Sequence, residues 1–150
     1  MTDRELLRAQ IIRHEGPKYS AYADSLGYLT IGVGRLIDSR MGGGISHQEA
    51  MFLLDNDLDA CIADLAARFP WFERLDAPRQ MALVDLRFNL GAQGLLGFAK
   101  FLLAMGRGDY PKAAEELVAS RWHTQVGARA LEIEHMVRTG TLYDDGPRAA

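Results

Sequence analysis

Apolar positions near the start of the chain follow the spacing of a short helix. Leucine, alanine and isoleucine recur on a broad arc of the segment 3–12, and Thr2-x-x-Glu5 has the spacing of a capping box. Gly16-Pro17 is typical of a helix stop, because proline donates no amide hydrogen and glycine readily adopts a left-handed backbone. The sequence therefore predicts a helix whose exit carries His14 and Glu15.

The next segment, residues 19–36, has the alternation of a strand. Leu29, Ile31 and Val33 are apolar, and the positions between them are threonine or glycine. Ser25-Leu26-Gly27 separates two extended runs and predicts a hairpin turn, in which Gly27 is free to adopt a positive φ. This pattern predicts a small antiparallel sheet, and it is the only convincing strand pattern in the chain.

The remainder of the chain predicts helices. A second capping box, Ser46-x-x-Glu49, follows a glycine loop and opens a helix that runs to about Arg68. The apolar residues of this helix share one face; they are Met51, Leu54, Leu58, Cys61, Ile62 and Leu65. The segment 81–90 is apolar on nearly every side, which predicts a central buried helix, and the segments 109–119 and 128–137 predict two more.

These elements predict a single domain over residues 1–150, of the α+β class and mostly α. A small lobe with the antiparallel sheet covers about 13–58, and the long helix connects it to a helical lobe of about 59–150. The N-terminal helix, residues 3–12, is expected to join the helical lobe. Two lobes joined by one helix create a cleft, which is a common place for a ligand site.

Composition and charge are those of an ordinary globular protein. The 150 residues are 48% hydrophobic and 25% charged, which excludes a disordered chain, a collagen-like repeat and a disulfide scaffold. Cys61 is the single cysteine and the N-terminus does not resemble an export signal, so the chain suits synthesis in a reducing cytosol. No apolar run reaches the ~18–20 residues of a membrane span, so stable membrane insertion is not expected. The formal net charge of -3 gives no reason to expect nucleic-acid binding.

Several common kinds of site find no support in the sequence pattern. The four histidines have no His-x-x-x-His spacing and the chain has one cysteine, so neither a metal site nor a cofactor is expected. Gly32-Val33-Gly34 lacks the third glycine of a dinucleotide loop, and Gly42-Gly43-Gly44 lacks the lysine of a phosphate loop. No Gly-x-Ser-x-Gly nucleophile elbow occurs, although inspection leaves a Ser-His-Asp triad open.

A pair of carboxylates remains as a candidate for chemistry. Glu15 lies at the predicted helix exit, Asp24 lies three residues before Gly27, and Thr30 lies three residues after it. A hairpin folded about Gly27 places Asp24 and Thr30 opposite each other, where a carboxylate and a hydroxyl can hold one water. With Glu15 as a proton donor, these groups are equipped to hydrolyse a glycosidic bond. From spacing alone, a solvated or capping role for each carboxylate remains the alternative.

The residues around this pair also resemble a known family. The segment HEGPKYSAYADSLGYLTIGVGR resembles the N-terminal signature of the phage T4-type lysozymes, in which Glu, Asp, Thr and Ile-Gly-x-Gly follow one another at these spacings. Further similar motifs extend the match from about Leu6 to Thr141, with a shortened loop near Met41. These motifs are Asn56-Asp57-Leu58-Asp59, Phe88-Asn89-Leu90-Gly91, Gly97-Phe98, Ser120-Arg121-Trp122 and Arg138-Thr139-Gly140-Thr141.

The resemblance implies a lysozyme-like fold and a peptidoglycan muramidase, or endolysin. Such an enzyme hydrolyses the β-1,4 bond between N-acetylmuramic acid and N-acetylglucosamine and lyses bacterial cells. The resemblance implies that Glu15 is the general acid, that Asp24 positions or activates water, and that Thr30 is the partner of Asp24. An inverting reaction is the expectation for that arrangement.

The resemblance also implies substrate-binding and supporting residues. Leu36 and Phe88 fall on positions that line the sugar cleft of the family. Phe101 and Glu116 align with cleft positions but differ in chemistry from the polar residues of the family. Arg129 aligns with the arginine that pairs with the catalytic glutamate, and core packing is the alternative role for Phe88.

Two features depart from the family. Arg35 stands where the family often has a histidine paired with a helix aspartate, so Asp57 is the expected partner of Arg35. Arginine does not titrate in the physiological range, so this pair has no pH switch. The best-known members are strongly basic, whereas this chain carries a formal charge of -3, which lowers the affinity expected for an anionic cell wall.

Three other functions compete with the muramidase. They are a non-catalytic peptidoglycan-binding domain, a structural component such as a phage baseplate protein, and a transglycosylase with one catalytic glutamate. The presence of Glu15, Asp24 and Thr30 together favours the hydrolase, and a length of 150 residues argues against the extra domains of a scaffold. The expected partners are peptidoglycan glycan strands and a separate holin. The protein is expected to be a monomer that stays in the host bacterial cytoplasm until the holin releases it to the periplasm and cell wall.

Overall fold

The computed structural model describes residues 4–37 and 43–144 of the chain. Its strands are β1 (Lys18–Ala23), β2 (Leu29–Gly32) and β3 (Arg35–Leu36). Its α-helices are α1 (Arg4–Glu15), α2 (His47–Arg68), α3 (Ala77–Leu96), α4 (Ala99–Arg107), α5 (Tyr110–Val118), α6 (Arg121–Val126) and α7 (Ala128–Thr139), with one short 3₁₀ turn at Phe72–Arg74. This composition confirms the predicted fold class, α+β and mostly α.

The chain divides into two compact units, Met1–Leu53 and Leu54–Ala150. The boundary falls inside α2, so this helix begins in the first unit and ends in the second. The assignment of the N-terminal helix to the helical lobe stays a prediction, and the capping residue Thr2 lies outside the described residues. Within the described ranges, no single helix is long and apolar enough to cross a membrane, although α3 and α4 together, bent by 108°, have the length and composition.

The three strands of the first unit form an antiparallel sheet in the order β1-β2-β3. The turn at Ser25-Leu26-Gly27 is confirmed, and the amide of Gly27 donates to the carbonyl of Asp24 over 3.0 Å. The register, however, pairs Tyr22 with Thr30 and Ala23 with Leu29, so the hairpin folds about Leu26. The prediction that Asp24 and Thr30 are directly opposite is therefore wrong, because the pairing is shifted by two positions.

The side chain of Asp24 explains this shift. Its Oδ1 accepts the backbone amides of Leu26 and Tyr28, each over 2.9 Å, and the amide of Asp24 itself donates to the carbonyl of Tyr28. An aspartate that accepts the amides two and four residues further along fixes a compact turn between itself and the fourth residue. Asp24 and Tyr28 therefore close the turn, and Leu26 lies at its tip.

The capping box at the start of α2 is confirmed. The amide of Ser46 donates to Glu49 Oε2 over 2.7 Å, and the amide of Glu49 donates to Ser46 Oγ over 3.2 Å. Glu49 also forms an ion pair with Arg35, whose guanidinium donates to the carbonyl of Gly44 as well. The prediction that named Asp57 as the partner of Arg35 is corrected to Glu49. The capping geometry already holds this carboxylate beside β3, so it reaches the guanidinium at little further cost in side-chain entropy.

This arrangement predicts a pH-dependent contribution from Glu49. The Ser46 backbone hydrogen bond, and after it the Ser46 hydroxyl and the charge of Arg35, hold the pKa of Glu49 below its ordinary value of 4.5. A lowered carboxyl pKa stabilises the fold above the ordinary value, and this stabilisation is lost as pH falls through the folded value. Glu49→Gln should therefore have a lower Tm than wild type at pH 7, and the difference should shrink as pH falls below 4.5 and vanish once pH is below the folded pKa.

Asp57→Asn is the matched control for this measurement, because Asp57 lies on the same helix, is exposed and has no ion pair among the described residues. Its Tm should follow the wild-type curve at every pH. If Asp57→Asn lowers the Tm and Glu49→Gln does not, then Asp57, and not Glu49, is the ion-pair partner of Arg35.

The hydrophobic core lies in the second unit. Helix α5 packs against α4 and α7, and α3 packs against α7. The largest fully buried side chains come from α2, α3, α4, α5 and α7; they are Leu65, Leu83, Leu86, Leu95, Phe101, Met105, Leu117, Ile133 and Val137. The predicted apolar face of α2 is only partly buried: Cys61 and Leu65 are buried, whereas Met51 and Ile62 are exposed. Helix α3 extends beyond the predicted segment 81–90 at both ends and is kinked at Gly91, where φ is 73° and ψ is 169°.

Arg79 ties the start of α3 to the end of α7. Its Nε donates to the carbonyl of Val137 over 2.8 Å, and its terminal nitrogens donate to the carbonyl of Arg138 and to Asp76. Its guanidinium lies 3.6 Å from the ring centroid of Tyr110, and only 12% of its side chain is exposed. The cation therefore satisfies carbonyls that the last turn of α7 leaves without helical partners.

Arg79→Met should lower the free energy of unfolding by about 2–3 kcal/mol, because it leaves part-buried acceptors unpaired. For a chain of this size the Tm should fall by roughly 5–10 °C, which differential scanning calorimetry measures. Arg68→Met is the control, since Arg68 forms a more exposed pair with Asp64 over 2.5 Å and should contribute less than about 1 kcal/mol. Equal losses in the two variants would contradict the role given to Arg79.

Candidate active site

Glu15 is the last residue of α1, as the sequence predicts. The helix ends there because Gly16 adopts a φ of 69° and its amide returns to the carbonyl of Ile12 over 2.9 Å. The carboxylate of Glu15 is exposed and forms no hydrogen bond or ion pair with the part of the chain that the structure describes. It is therefore available to a ligand.

The turn between β2 and β3 lies against this carboxylate. A Cβ on Gly34 would lie 3.0 Å from both Cδ and Oε2 of Glu15, closer than real Cβ atoms normally approach. Gly34 also has a φ of 73°, a backbone conformation that side chains disfavour. Gly34 is thus a site residue that the sequence analysis missed, and the signal for it was the Ile-Gly-x-Gly motif.

Thr30 and Leu36 share one face of the sheet, and Asp24, which directly follows β1, continues that face. Thr30 pairs with Tyr22 on one side and with Leu36 on the other, and side chains of paired residues lie on the same face. Asp24 lies two residues beyond Tyr22, so it is the diagonal neighbour of Thr30 on that face, at a spacing of about 7–8 Å. Although they are not directly opposite, the sheet places the carboxylate and the hydroxyl on the same side.

The hydrogen bonds of Asp24 and Thr30 show which of their oxygen atoms can still accept a hydrogen bond. Thr30 is 3% exposed, and its hydroxyl donates to the carbonyl of Tyr28 over 3.1 Å, so Oγ1 retains acceptor capacity only. Asp24 uses Oδ1 for the turn, and its Oδ2 has no hydrogen-bond partner among the described residues. Two acceptors on one face are suited to receive both protons of a single water.

Phe88 and Arg129 lie together in the second unit. They line an apolar groove of about 590 Å³ formed by α2, α3 and α7, with Leu58, Met81 and Val84 among its walls. The ring of Phe88 is 44% exposed, so it is available for contact with a ligand. Nε of Arg129 donates to Asp85 Oδ1 over 2.7 Å. Asp85 was not predicted from the sequence, and the pairing of Arg129 with Glu15 stays a prediction.

Phe101 and Glu116 line a separate surface pocket of about 530 Å³ in the second unit. The prediction that Phe101 contacts substrate is corrected, because its side chain is 1% exposed and belongs to the hydrophobic core. The amphipathic helix α4 turns this position inward together with Leu102 and Met105. Glu116 is half-buried and forms an ion pair with Lys112 over 3.1 Å, which raises the pKa of Lys112.

Among the described residues, no group of three or more histidine, cysteine, aspartate or glutamate side chains is arranged to hold a metal ion. The groups that the hairpin and the end of α1 present are two carboxylates and a hydroxyl, those of Glu15, Asp24 and Thr30. An exposed glutamate can transfer a proton to a leaving group, and an aspartate with a threonine hydroxyl can position a water for attack.

Comparison with known families identifies the class of protein. The chain matches the family described as phage lysozyme over residues 12–137, a span that includes Glu15, Asp24, Thr30 and Arg129. The chain belongs to the phage lysozyme family, whose members' names support a muramidase-type glycoside hydrolase.

Three relatives are 27–32% identical to this chain over the residues that align. The chain is 30% identical to the pre-baseplate central spike protein Gp5 of Enterobacteria phage T4, over 97% of this chain and 29% of that protein. It is 27% identical to probable T4-type lysozyme 1 of Dictyostelium discoideum, over 85% of this chain and 91% of that protein. It is 32% identical to the SAR-endolysin of Escherichia phage Mu, over 79% of this chain and 67% of that protein. The chain thus spans less than a third of the spike protein and most of the probable lysozyme.

Proposed function

We propose that this protein is a peptidoglycan muramidase that hydrolyses the β-1,4 bond between N-acetylmuramic acid and N-acetylglucosamine. One observation carries the proposal: Asp24 and Thr30 share a sheet face, and the adjoining turn holds the carboxyl of Glu15 against Gly34. Glu15 acts as the general acid that protonates the leaving oxygen, and Asp24 with Thr30 positions the attacking water. The substrate is the glycan strand of the bacterial cell wall.

The hydrogen bonds of the hairpin support a water-positioning role for Asp24. A water attacking the sugar must direct a lone pair at the anomeric carbon, so its two protons must go to acceptors. Asp24 Oδ2 is free to accept one, and Thr30 Oγ1 is free to accept the other because its own proton is bound to Tyr28. Removal of a proton by Asp24 then generates the nucleophile.

This arrangement predicts an inverting reaction. Inverting glycosidases place the water between two carboxyl groups about 6.5–9.5 Å apart, whereas retaining enzymes use a carboxylate as the nucleophile at about 5–5.5 Å. Hydrolysis of the β-linked strand should first release the α-anomer of the new reducing end, observed by proton NMR before mutarotation. A β-anomer as the first product, or a glycosyl adduct on Asp24, would make Asp24 the nucleophile instead.

The bond that is cut is identified by the chemistry of the new chain ends. Purified peptidoglycan is digested, reduced with borohydride and hydrolysed, and the sugar alcohols are separated. Muramitol is the expected product; glucosaminitol would indicate cleavage at the other sugar, and 1,6-anhydro ends would indicate a transglycosylase. Absence of any new ends, with retained binding to peptidoglycan, would favour the non-catalytic binding domain.

We propose that the protein is a monomer that lyses the host bacterium. It stays in the cytoplasm until a separate holin gives it access to the cell wall. Its wall substrate lies across the membrane, so expression alone should leave cells intact. Addition of chloroform, which permeabilises the membrane, should then clear the culture rapidly. The loss of turbidity measures the lytic activity. Clearing without permeabilisation would indicate another route to the wall.

A second candidate function is that of a lysozyme domain in a phage baseplate spike. The 30% identity to the central spike protein over 97% of this chain favours it. The same catalytic groups would then hydrolyse the cell wall when the phage enters the cell, instead of when new phage particles are released. Detection of the chain in purified phage particles would support the spike, whereas its presence only in the soluble lysate would support the endolysin.

A further inference from the structure

A small cavity in the second unit is lined by hydrogen-bond donors. It has a volume of about 170 Å³ and lies between the 3₁₀ turn that follows Trp71, the end of α4 and the start of α5. Its polar side chains are those of Trp71, Arg74, Arg107 and Tyr110, and none of its lining residues is acidic. The formal net charge of the chain is -3, so the two arginines give this cavity a positive charge that the chain as a whole does not have.

These donors have no acceptors within the described residues. Neither Arg74 nor Arg107 forms a hydrogen bond or ion pair there, and both side chains are exposed. The indole of Trp71 packs against Phe69, and its Nε1–H has no hydrogen-bond partner in the described ranges 4–37 and 43–144. Because no buried side-chain nitrogen or oxygen of the described residues lacks a partner, this unpaired Nε1–H is in reach of solvent.

The backbone of α4 allows the indole to approach. A Cβ on Gly106 would lie 2.9 Å from Nε1 of Trp71 and 3.2 Å from its Cδ1, so only glycine leaves room for the edge of the ring. Gly108, with a φ of 73°, then ends α4 and turns the chain into α5, where Tyr110 follows. Three separate segments thus bring donors to one cavity.

Charge and geometry select the ligand. Guanidinium groups donate paired N–H bonds to oxyanions, and an indole N–H adds a single neutral donor. Two arginines without a counter-charge match a dianion better than a monoanion, and a phosphate group is small enough for a cavity of about 170 Å³. We propose that Trp71, Arg74 and Arg107 form a binding site for a phosphate group, separate from the hydrolytic site. This site does not rest on the proposed function.

The two tryptophans of the chain allow a direct test. A ¹H–¹⁵N spectrum of the uniformly labelled protein should contain two indole N–H signals, one from Trp71 and one from Trp122. Trp122 donates to Asn89 Oδ1 over 2.7 Å, so its signal serves as the internal control. Titration with inorganic phosphate at pH 7.5 should shift the Trp71 signal saturably and leave the Trp122 signal in place, with the assignment made by Trp71→Phe.

Three variants at equal formal charge separate a built site from general charge attraction. Arg74→Gln and Arg107→Gln should each weaken phosphate binding at least tenfold. Arg121→Gln, at an exposed arginine outside the cavity, should bind as wild type does. Acetate should bind at least tenfold more weakly than phosphate.

The outcomes are decisive in either direction. No saturable shift of the Trp71 signal, equal shifts of both indoles, unchanged affinity in the Arg74 and Arg107 variants, or acetate as effective as phosphate would each overturn the site. Titration with glucose 1-phosphate distinguishes the sources of phosphate. Tighter binding than inorganic phosphate indicates a phosphorylated glycan, and weaker binding indicates the free ion. Hydrolytic activity plays no part in the readout, so failure here leaves the proposed function standing.

Discussion

Replacement of Glu15 by glutamine should lower the rate of peptidoglycan hydrolysis by about 10²–10⁴-fold, the usual contribution of general acid catalysis. Glutamine keeps the size of the side chain and its position at the end of α1, but it cannot donate a proton to the leaving oxygen. The rate is measured as loss of turbidity of outer-membrane-permeabilised cells. The Tm should hold or rise, because charged groups at active sites are often retained at a cost in stability.

Glu5→Gln is the matched control for Glu15→Gln. Glu5 lies on the same helix and is also exposed, so this variant has the same net charge and the same chemical change. It should retain wild-type activity. If Glu15→Gln retains more than about a tenth of the wild-type rate, another group supplies the proton, and the assignment of the acid is wrong.

Gly34→Ala should lower hydrolysis at least tenfold, since small displacements of a catalytic group carry large rate penalties. Its Cβ would lie 3.0 Å from the carboxyl of Glu15, so this flexible side chain must move away from the turn. The positive φ of Gly34 adds backbone strain of about 1–3 kcal/mol to any L-residue there. Activity and Tm should both fall.

Gly32→Ala separates the two causes. Gly32 is the last residue of β2, directly before the same turn, and has a φ of 69°, but a Cβ there would have no atom within 4 Å. Its loss of stability should match that of Gly34→Ala, because the backbone strain is similar, while its loss of activity should be several-fold smaller. Equal activity losses in the two variants would mean that the turn matters for folding and that the contact with Glu15 does not.

Much of the local structure was predictable, because short-range interactions specify it. The capping box of α2 joins Ser46 and Glu49, three residues apart, and Gly16 ends α1 through the carbonyl of Ile12. The resemblance to phage T4-type lysozymes likewise rests on residues in fixed spacing, and the family match over residues 12–137 confirms it. The site residues Glu15, Asp24 and Thr30 come from that spacing.

The register of the hairpin could not be predicted from residue spacing. The sequence predicts the turn residues, but a symmetric fold about Gly27 ignores the hydrogen bonds that Asp24 makes inside the turn. Those bonds move the axis to Leu26 and shift the pairing by two positions. Since side chains alternate with a period of two, a shift of two positions leaves Asp24 and Thr30 on the same face. The catalytic role of Asp24 and Thr30 therefore stays a prediction, although the register predicted for them was wrong.

The sequence by itself determined the family, the end of α1, the capping box of α2 and the three candidate residues Glu15, Asp24 and Thr30, because each depends on neighbours within a few positions or on a motif. The tertiary structure decided what each long side chain meets. It paired Arg35 with Glu49, buried Phe101 in the core and carried Arg79 to the carbonyls of α7, 58 and 59 positions further along the chain. It also placed Gly34 against Glu15 and brought Trp71, Arg74 and Arg107 to one cavity. These contacts join segments that are far apart along the chain. Separation along the chain does not predict which segments meet, so the contacts depend on how the elements pack.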